Sequence, residues 1–286
     1  MTGDPFVAHR GLLFTVAYEL LGSASDAEDV VQETWLRWAG IDRSQVHDPR
    51  AYLVRAVTRQ ALNRIRALSR RREDYVGEWL PEPLLTRPDI ADDVELAESV
   101  SIAMLTVLET LGPVERAVFV LREVFETPYD EVAAAVGKSP GAVRQIARRA
   151  RNHVAARRPR VRVSRSEHEA VVARFVAALH TGRIQDLMEI MAPDVVLVAD
   201  GGGFTAAALV PLRGAELLAT VLTSVDRAAV ETTAVWLNGA PAIRIASDSG
   251  QAAVSLVLEN GLVSRIYAVS NPQKLTRLDE PTDLTR

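Results

Sequence analysis

A helix stop and a helix start stand three residues apart at Gly137-Lys138-Ser139-Pro140, and that punctuation restricts the fold of everything around it. Upstream, Thr127-Pro128-Tyr129-Asp130 predicts the cap of a short helix whose apolar residues include Val132, Ala133 and Val136. Gly137 can take the left-handed conformation that ends it, and Ser139-Pro140 caps the next helix at once. Two helices joined by a three-residue turn with glycine have the spacing of a helix-turn-helix. In the second, Val143, Ala147 and Ala150 face inward, which leaves Arg144, Gln145, Arg148 and Arg149 for phosphates and base edges. Arginine can grip guanine bidentately and glutamine adenine, so such a helix both binds and specifies. The alternative is a helical hairpin with a basic surface and no DNA role.

Charge supports the first reading. The net charge of the 286 residues is −4, with 33 basic and 37 acidic side chains. Only Lys138 and Lys274 are lysines, and the other basic residues are arginines. From Pro49 to Arg72 there are eight arginines and no acid; from Val132 to Arg165 there are one lysine and nine arginines, again with no acid. Two acid-free basic tracts separated by an acid-rich stretch predict two separate contacts with a polyanion. Solvated helix faces are the bland reading of the same pattern. The chain has no Cys, which excludes disulfides, thiolate chemistry and Cys-ligated zinc. No basic-then-apolar leader opens the chain, and no run approaches the ~18 apolar residues of a membrane span, so the expectation is a soluble cytoplasmic protein.

The first tract lies on a helix. Ser25-Asp26-Ala27-Glu28 reads as a capping box opening a helix to about Gly40. Ala27, Val31, Trp35 and Trp38 recur at helical spacing as a core stripe, whereas Asp29, Gln32 and Glu33 share a polar face. Asp48-Pro49 then predicts a helix to about Arg72. Leu53, Val57, Ala61 and Ile65 can face a core while Arg55, Arg59, Asn63, Arg66 and Arg70 form a basic stripe.

In this order the motifs become recognisable. Residues 6 to 72, with Asp26-Ala27-Glu28-Asp29-Val30-Val31-Gln32-Glu33 followed by Trp35 and Trp38, resemble region 2 of extracytoplasmic-function sigma factors. Residues 101 to 157 resemble their region 4, through Leu111-Gly112-Pro113, Arg116-Ala117-Val118-Phe119, Tyr129-Asp130-Glu131-Val132-Ala133 and Gly141-Ala142-Val143-Arg144. The resemblance implies that Asp29, Gln32 and Glu33 dock on the β′ clamp helices of core RNA polymerase, with the β flap as a further polymerase contact. It assigns reading and melting of the promoter −10 element to Arg55, Arg59, Asn63, Arg64 and Arg66. It assigns −35 recognition to Ser139, Gly141, Arg144, Gln145, Arg148 and Arg149.

Between the two regions stands Trp79-Leu80-Pro81-Glu82-Pro83-Leu84. Two prolines favour an extended backbone and the aromatic asks for a pocket, so the linker is expected to dock rather than swing freely. After Arg165 the pattern changes. Ser166-Glu167-His168-Glu169 reads as a second capping box, and the helix it opens is closed by Gly182. A short helix from Ile184 to Met191 precedes the apolar run Val195 to Ala199 and then Asp200-Gly201-Gly202-Gly203. Further β-type runs fall at about 229 to 237, 241 to 247, 251 to 258 and 262 to 269, two of them joined through the hairpin signal Glu259-Asn260-Gly261.

Helices followed by a meander predict an α+β module, which resembles the SnoaL-like branch of the NTF2-like cone fold. The fold class expected is therefore multi-domain, with two all-α sigma domains and an α+β cone. The boundaries are region 2 over 1–75, a linker over 76–100, region 4 over 101–160, the cone over 166–276 and a tail over 277–286. With Asn271-Pro272-Gln273-Lys274-Leu275 also present, the chain resembles sigma factors carrying a fused SnoaL-like domain. In that group the domain regulates the sigma core in cis, in place of a separate anti-sigma factor. The resemblance implies that Trp79, Leu80, Pro81, Glu82 and Pro83 contact the cone near Asp200, Gly201, Gly202 and Gly203, while Asn271, Pro272, Lys274 and Leu275 contribute to control. One departure is that Phe204 stands where the family usually follows its glycines with lysine.

The expectation is a non-enzymatic initiation factor with no cofactor, no metal and no membrane partner, whose cone could admit a small-molecule ligand. Two other readings stand beside it. One is a ligand-sensing helix-turn-helix regulator independent of polymerase. The other is a cone-fold enzyme fused to a DNA-binding module, with Asp200, Asp194 or Tyr267 nominated for proton transfer.

Overall fold

The structure is a computed structural model that describes residues 4–157, 163–224, 230–248 and 250–286, with the side chains of 69–73 outside the description. Arg70 of the basic stripe and Ala229 at the start of one β-type run are therefore outside the described residues. The chain divides into two compact units. One holds Met1–Glu73, Met104–Arg158 and Asp283–Arg286; the other holds Asp74–Ala103 and Pro159–Thr282. The segment read as a linker thus belongs, over its whole length, to the unit of the C-terminal module.

The first unit is helical: α1 (Pro5–Leu21), α2 (Ala24–Ala39), α3 (Pro49–Glu73), α5 (Ile102–Glu109, whose first two residues fall in the other unit), α6 (Pro113–Phe119), α7 (Tyr129–Val136) and α8 (Pro140–Ala155). A π-helical turn, Val120–Val124, follows α6. Every residue of α1 from Leu12 to Leu21 is buried. A helix without a polar face needs cover on all sides, and here α2 and α3 supply part of it while α6 and the π turn supply more. The cap of α2 is Ser23, whose hydroxyl accepts from Asp26 N, not Ser25. Gly22 in the left-handed region ends α1 so tightly that the next helix starts two residues earlier than the Ser25 motif suggests. Trp35 also leaves the expected core stripe. It is exposed and leans on Phe6 with ring centroids 5.2 Å apart, while Val30 and Thr34 join Ala27, Val31 and Trp38 inside.

In the second unit α4 (Val94–Val100), α9 (Arg165–Thr181), α10 (Ile184–Met188) and α11 (Ala215–Thr223) accompany a six-stranded sheet. Its strands are β1 (Met191–Asp200), β2 (Leu212–Arg213), β3 (Val230–Leu237), β4 (Ala240–Ser247), β5 (Gly250–Glu259) and β6 (Leu262–Val269). They lie in the order β2-β1-β6-β5-β4-β3, antiparallel throughout except for β1 beside β6. Two sequence boundaries move. The capping box is Ser164 with Glu167, two residues before the Ser166 motif. Met191, expected to end a short helix, begins β1, because α10 stops at Met188.

Side chains alternate across a strand, and the two faces of this sheet have different cover. Ile243, Val254, Leu256 and Ile266 pack with Val172, Phe175, Leu187 and Leu218 of the helices. On the other face Tyr267 and Val269 meet Leu80 and Ile102, while Leu237, Ala242 and Ala253 meet Leu278. The proline-rich segment is therefore the roof of one sheet face. Among the described residues no helix is long and apolar enough to cross a membrane.

Candidate functional site

The helix-turn-helix forms as its punctuation dictates. Gly137 (φ 67°) ends α7 with its N–H on Ala133 O, and the Ser139 hydroxyl accepts from Ala142 N to open α8. Val143, Ile146, Ala147, Ala150 and Val154 are buried. Ser139, Gly141, Arg144, Gln145, Arg148 and Arg149 are all exposed. The Arg144 guanidinium lies 5.5 Å from the Tyr129 ring centroid, and Arg149 lies 3.7 Å from Glu115. Six exposed groups, three of them cationic, make a surface that can take phosphates and groove edges.

The candidates on α2 and α3 divide. Arg64 binds Asp26 at 2.6 Å and Asp29 at 2.8 Å, so Asp29 meets solvent already paired. Glu33 accepts from Gln60, and Gln32 is exposed. Arg59 donates to the carbonyl oxygens of Ala134 (2.7 Å) and Ala135 (3.4 Å), where α7 leaves its last carbonyls without helical partners. A cation there also complements the helix dipole. Asn63 accepts from Arg66 at 3.3 Å. Arg55 lies 5.5 Å from the Tyr52 ring and lines a cavity of about 720 Å³ with Asp42, His47, Asp130 and Glu131. A reciprocal contact is made by Arg116, 3% exposed, which donates to Leu20 O at the end of α1 and to Glu109. Nothing in the charge pattern marked Arg116 or Arg59 for these roles, since each sits in a run that reads as surface or core alone.

The second unit holds a denser polar site. Asp200, the last residue of β1, is fully buried and shares the linker face of the sheet with Val198 two residues before it. Its Oδ1 accepts from the Tyr75 hydroxyl at 2.6 Å; its Oδ2 accepts from Leu80 N at 2.8 Å and from Lys274 Nζ at 2.7 Å. Lys274 also donates to Leu80 O at 2.6 Å, and its ammonium lies 4.2 Å from the Trp79 ring and 4.9 Å from that of Tyr75. Asn271 donates to the Tyr75 hydroxyl, and the Asp200 carbonyl accepts from Ser270 N and Asn271 N. Burial, with the Asp200 carboxylate beside it, pushes the Tyr75 hydroxyl far above its ordinary value and keeps it a donor.

Gly202 (φ 58°) turns the chain where any Cβ would run into Asn271 Nδ2 and approach Tyr75 Oη. Gly203 (φ 78°) is likewise left-handed, and Gly201 precedes them in the same turn. Pro81, Glu82 and Pro83 are buried, Leu275 is half-buried against the Leu80 cluster, and Pro272 is exposed. Phe204 is exposed; the cation that faces Asp200 is Lys274.

Sequence reasoning missed Tyr75 and a second clasp. Asn238 accepts from Leu84 N at 2.9 Å and donates to Val100 O at 2.8 Å, while Thr86 N donates to Trp236 O. Leu85 thereby bridges to Leu237. The Asn238-Gly239 pair, a type I′ turn signal between two strands, was the available clue. The three residues nominated for proton transfer are not brought together: Asp194 is exposed, Tyr267 packs with Leu80 and Ile102, and both Asp200 oxygens are bonded.

Two helical regions with a basic recognition helix in the second define a sigma factor of RNA polymerase, and sequence comparison agrees: residues 6–71 match Sigma-70 region 2 and residues 101–154 match Sigma-70, region 4. The chain is 35% identical to the ECF RNA polymerase sigma factor SigJ of Mycobacterium tuberculosis over 96% of its own length and 94% of that protein. It is 32% identical to the probable ECF RNA polymerase sigma factor SigI of the same species, over 95% and 93%. The crystal structure of Mycobacterium tuberculosis SigJ matches with a TM-score of 0.78 at 32% identity, covering 96% of this chain and 98% of that one. The chain belongs to the extracytoplasmic-function sigma factors, the proteins that bind RNA polymerase and direct promoter-specific initiation. Its C-terminal module has the expected α+β architecture, a six-stranded mixed sheet with helices on one face.

Proposed function

We propose that this sigma factor is regulated in cis by its NTF2-like module, which acts by holding the segment between regions 2 and 4. The supporting observation is that Asp200, buried, binds both the side chain of Tyr75 and the backbone of Leu80. Tethered regions raise each other's effective concentration at a promoter only over the span their linker allows. A module that grips residues 75–86 sets that span, so no separate anti-sigma factor is required, and a small molecule that loosened the grip would act as a signal. The protein then works in the cytoplasm, on core polymerase and promoter DNA, without a membrane partner.

Region 2 docks on the β′ clamp helices through Asp29, Gln32 and Glu33, and region 4 meets the β flap. Arg55, Arg59, Asn63, Arg64 and Arg66 serve the −10 element; Arg59 and Arg64 must first exchange their internal partners. Ser139, Gly141, Arg144, Gln145, Arg148 and Arg149 serve the −35 element. The reading as a non-enzyme is supported by Asp200, whose two oxygens are engaged by three donors of the protein itself and which has no exposure to a substrate.

The test measures association with core RNA polymerase and run-off transcription for the full chain, for Asp29→Ala plus Glu33→Ala, and for Tyr75→Phe plus Trp79→Ala. The acid pair should lose polymerase, and the linker pair should keep polymerase and change transcript yield. Polymerase-independent promoter binding by the acid variant, at full regulatory effect, would instead favour an ordinary helix-turn-helix regulator.

A further inference from the structure

Regions 2 and 4 lie in one compact unit, and each lends an arginine to the other. Arg116 of α6, 3% exposed, donates to Leu20 O at 2.9 Å, at the C-terminal end of α1. Arg59 of α3 donates to Ala134 O at 2.7 Å, at the C-terminal end of α7. The last four carbonyls of a helix have no partner within it. Gly22 N and Gly137 N take those of Tyr18 and Ala133, so each arginine closes a carbonyl that the cap of its partner helix leaves over. Each also meets the negative end of that helix's dipole.

The same helix α7 covers α3 one turn earlier. Arg55 stands four residues before Arg59 and lines the cavity of about 720 Å³. Ala51 and Tyr52 of region 2 form one wall of that cavity, and Asp130, Glu131 and Ala134 of α7 form the other. Asp130 and Glu131 are the acids of the first turn of α7. Two carboxylates therefore share with Arg55 the space in which a nucleic-acid strand would present its phosphates.

This arrangement cannot engage a whole promoter. The −35 and −10 elements are separated by roughly 25 base pairs, or ~85 Å of B-form DNA at about 3.4 Å per pair. Here α7 is hydrogen-bonded to α3, and the recognition helix α8 follows it after a three-residue turn. With 16 residues, α8 is only about 24 Å long, so no rotation about that turn spans the difference.

We propose that α7 is the resident ligand of the α3 face in the free protein, held there by the exchange of Arg59 and Arg116, and that promoter DNA competes with it for that face. The proposal rests on the assignment of Arg55 and Arg59 to the −10 element. Departure of α7 frees both arginines at once, so region 2 becomes able to take a strand as region 4 leaves for the −35 element. All the residues involved lie in the first unit, which separates this closure from the grip on the linker.

The chain has no Cys, so two thiols can be introduced without competitors. Ala51→Cys plus Ala134→Cys puts one on each wall of the cavity, and a reducible bis-methanethiosulfonate reagent bridges them while α7 is in place. The test follows bridging in the full chain, then measures binding of single-stranded DNA of random sequence and run-off transcription with core RNA polymerase, before and after reduction. Bridging should be rapid in the free chain and several-fold slower in the holoenzyme and in Arg59→Met. The bridged chain should lose strand binding and transcription several-fold, and reduction should restore both. Failure to bridge in the free chain overturns the proposal, as does an equal bridging rate in Arg59→Met. So does a bridged chain that binds strands and transcribes like the reduced one. Arg55→Ala in the reduced chain separates this closure from the reading beneath it: if that variant binds strands and transcribes normally while the bridge still blocks transcription, the −10 assignment fails and the closure by α7 stands.

Discussion

Lys274 Nζ and Asp200 Oδ2 lie 2.7 Å apart in a site where the carboxylate has no exposure, and Leu80 bridges them, giving its N–H to the anion and its carbonyl to the cation. One linker residue thus satisfies both halves of a buried pair. Charges of this kind are held by completeness more than by attraction, since desolvation offsets most of the Coulombic gain and a missing partner leaves a buried charge exposed to that cost.

The pair should therefore fail asymmetrically. Lys274→Met leaves Asp200 buried without its cation, and a loss of about 3–5 kcal/mol is expected. Lys274→Met with Asp200→Asn should lose distinctly less. Urea unfolding followed by hydrogen exchange in β1 and β6 measures both, and a double variant as unstable as the single one would refute the account.

Trp79→Ala removes the ring 4.2 Å from the Lys274 ammonium. A partly buried cation–π contact contributes about 0.5–2 kcal/mol, too little to unfold the unit. The expected outcome is changed transcript yield with core polymerase affinity kept within twofold or so of the parent. Unchanged transcription would remove the grip on the linker from the mechanism.

Asn238 combines two roles that substitution separates. It takes φ 53° at the β3–β4 turn and bonds Leu84 N and Val100 O while 1% exposed. Asn238→Gly keeps the turn and loses the bonds, so its cost reports the clasp alone, about 1–3 kcal/mol for buried groups left unsatisfied. Asn238→Ala adds backbone strain and should be worse. Equal stability of the glycine variant and the parent, in thermal unfolding of the full chain, would show that the clasp is energetically idle.

The helices and strands were legible because periodicity and punctuation act locally. Gly137, Ser139 and Pro140 placed the helix-turn-helix within a residue, and Asn260-Gly261 placed a hairpin. Cap positions at Ser23 and Ser164 were misread where serines repeat two residues apart, since each spacing offers a plausible box and only the preceding turn decides. The Asp200 site was foreseen as a place through family resemblance, but its chemistry was not. Tyr75 lies 125 residues away in sequence, and no local pattern couples a phenol to a carboxylate over that separation. Arg59 and Arg116 illustrate the same limit: the sequence marks arginines as basic, and only the fold shows which of them close a helix end.

His168 on α9 is largely enclosed, its Nε2 has no partner among the described residues, and burial holds its ring below the ordinary value of 6.5. The folded state thus prefers the neutral ring. Above 6.5 both folded and unfolded forms are neutral and full stability is present; as pH falls below that value the unfolded chain takes up the proton first, and stability is lost. Hydrogen exchange in β5, which carries Leu256 opposite the ring, should accelerate between about pH 7 and about pH 5. His168→Leu should flatten that dependence, and a pH profile identical to the parent's would assign the acid sensitivity elsewhere.

Arg144 and Arg149 should behave differently on promoter DNA although both are exposed arginines of α8. Residues near the N-terminus of a recognition helix reach base edges, and those farther along meet the backbone. Arg144 stands one turn into the helix with Tyr129 steadying its guanidinium, a geometry suited to a directed bidentate contact. Arg149 lies more than a turn later, 70% exposed beside Glu115. Arg144→Ala should therefore cost about 1–3 kcal/mol against the preferred −35 sequence and relax discrimination at one position. Arg149→Ala should weaken all sequences alike and lower the salt slope of binding by about one. Holoenzyme binding to promoter variants at several salt concentrations separates the two, and a uniform loss from Arg144→Ala would move it from base reading to phosphate contact.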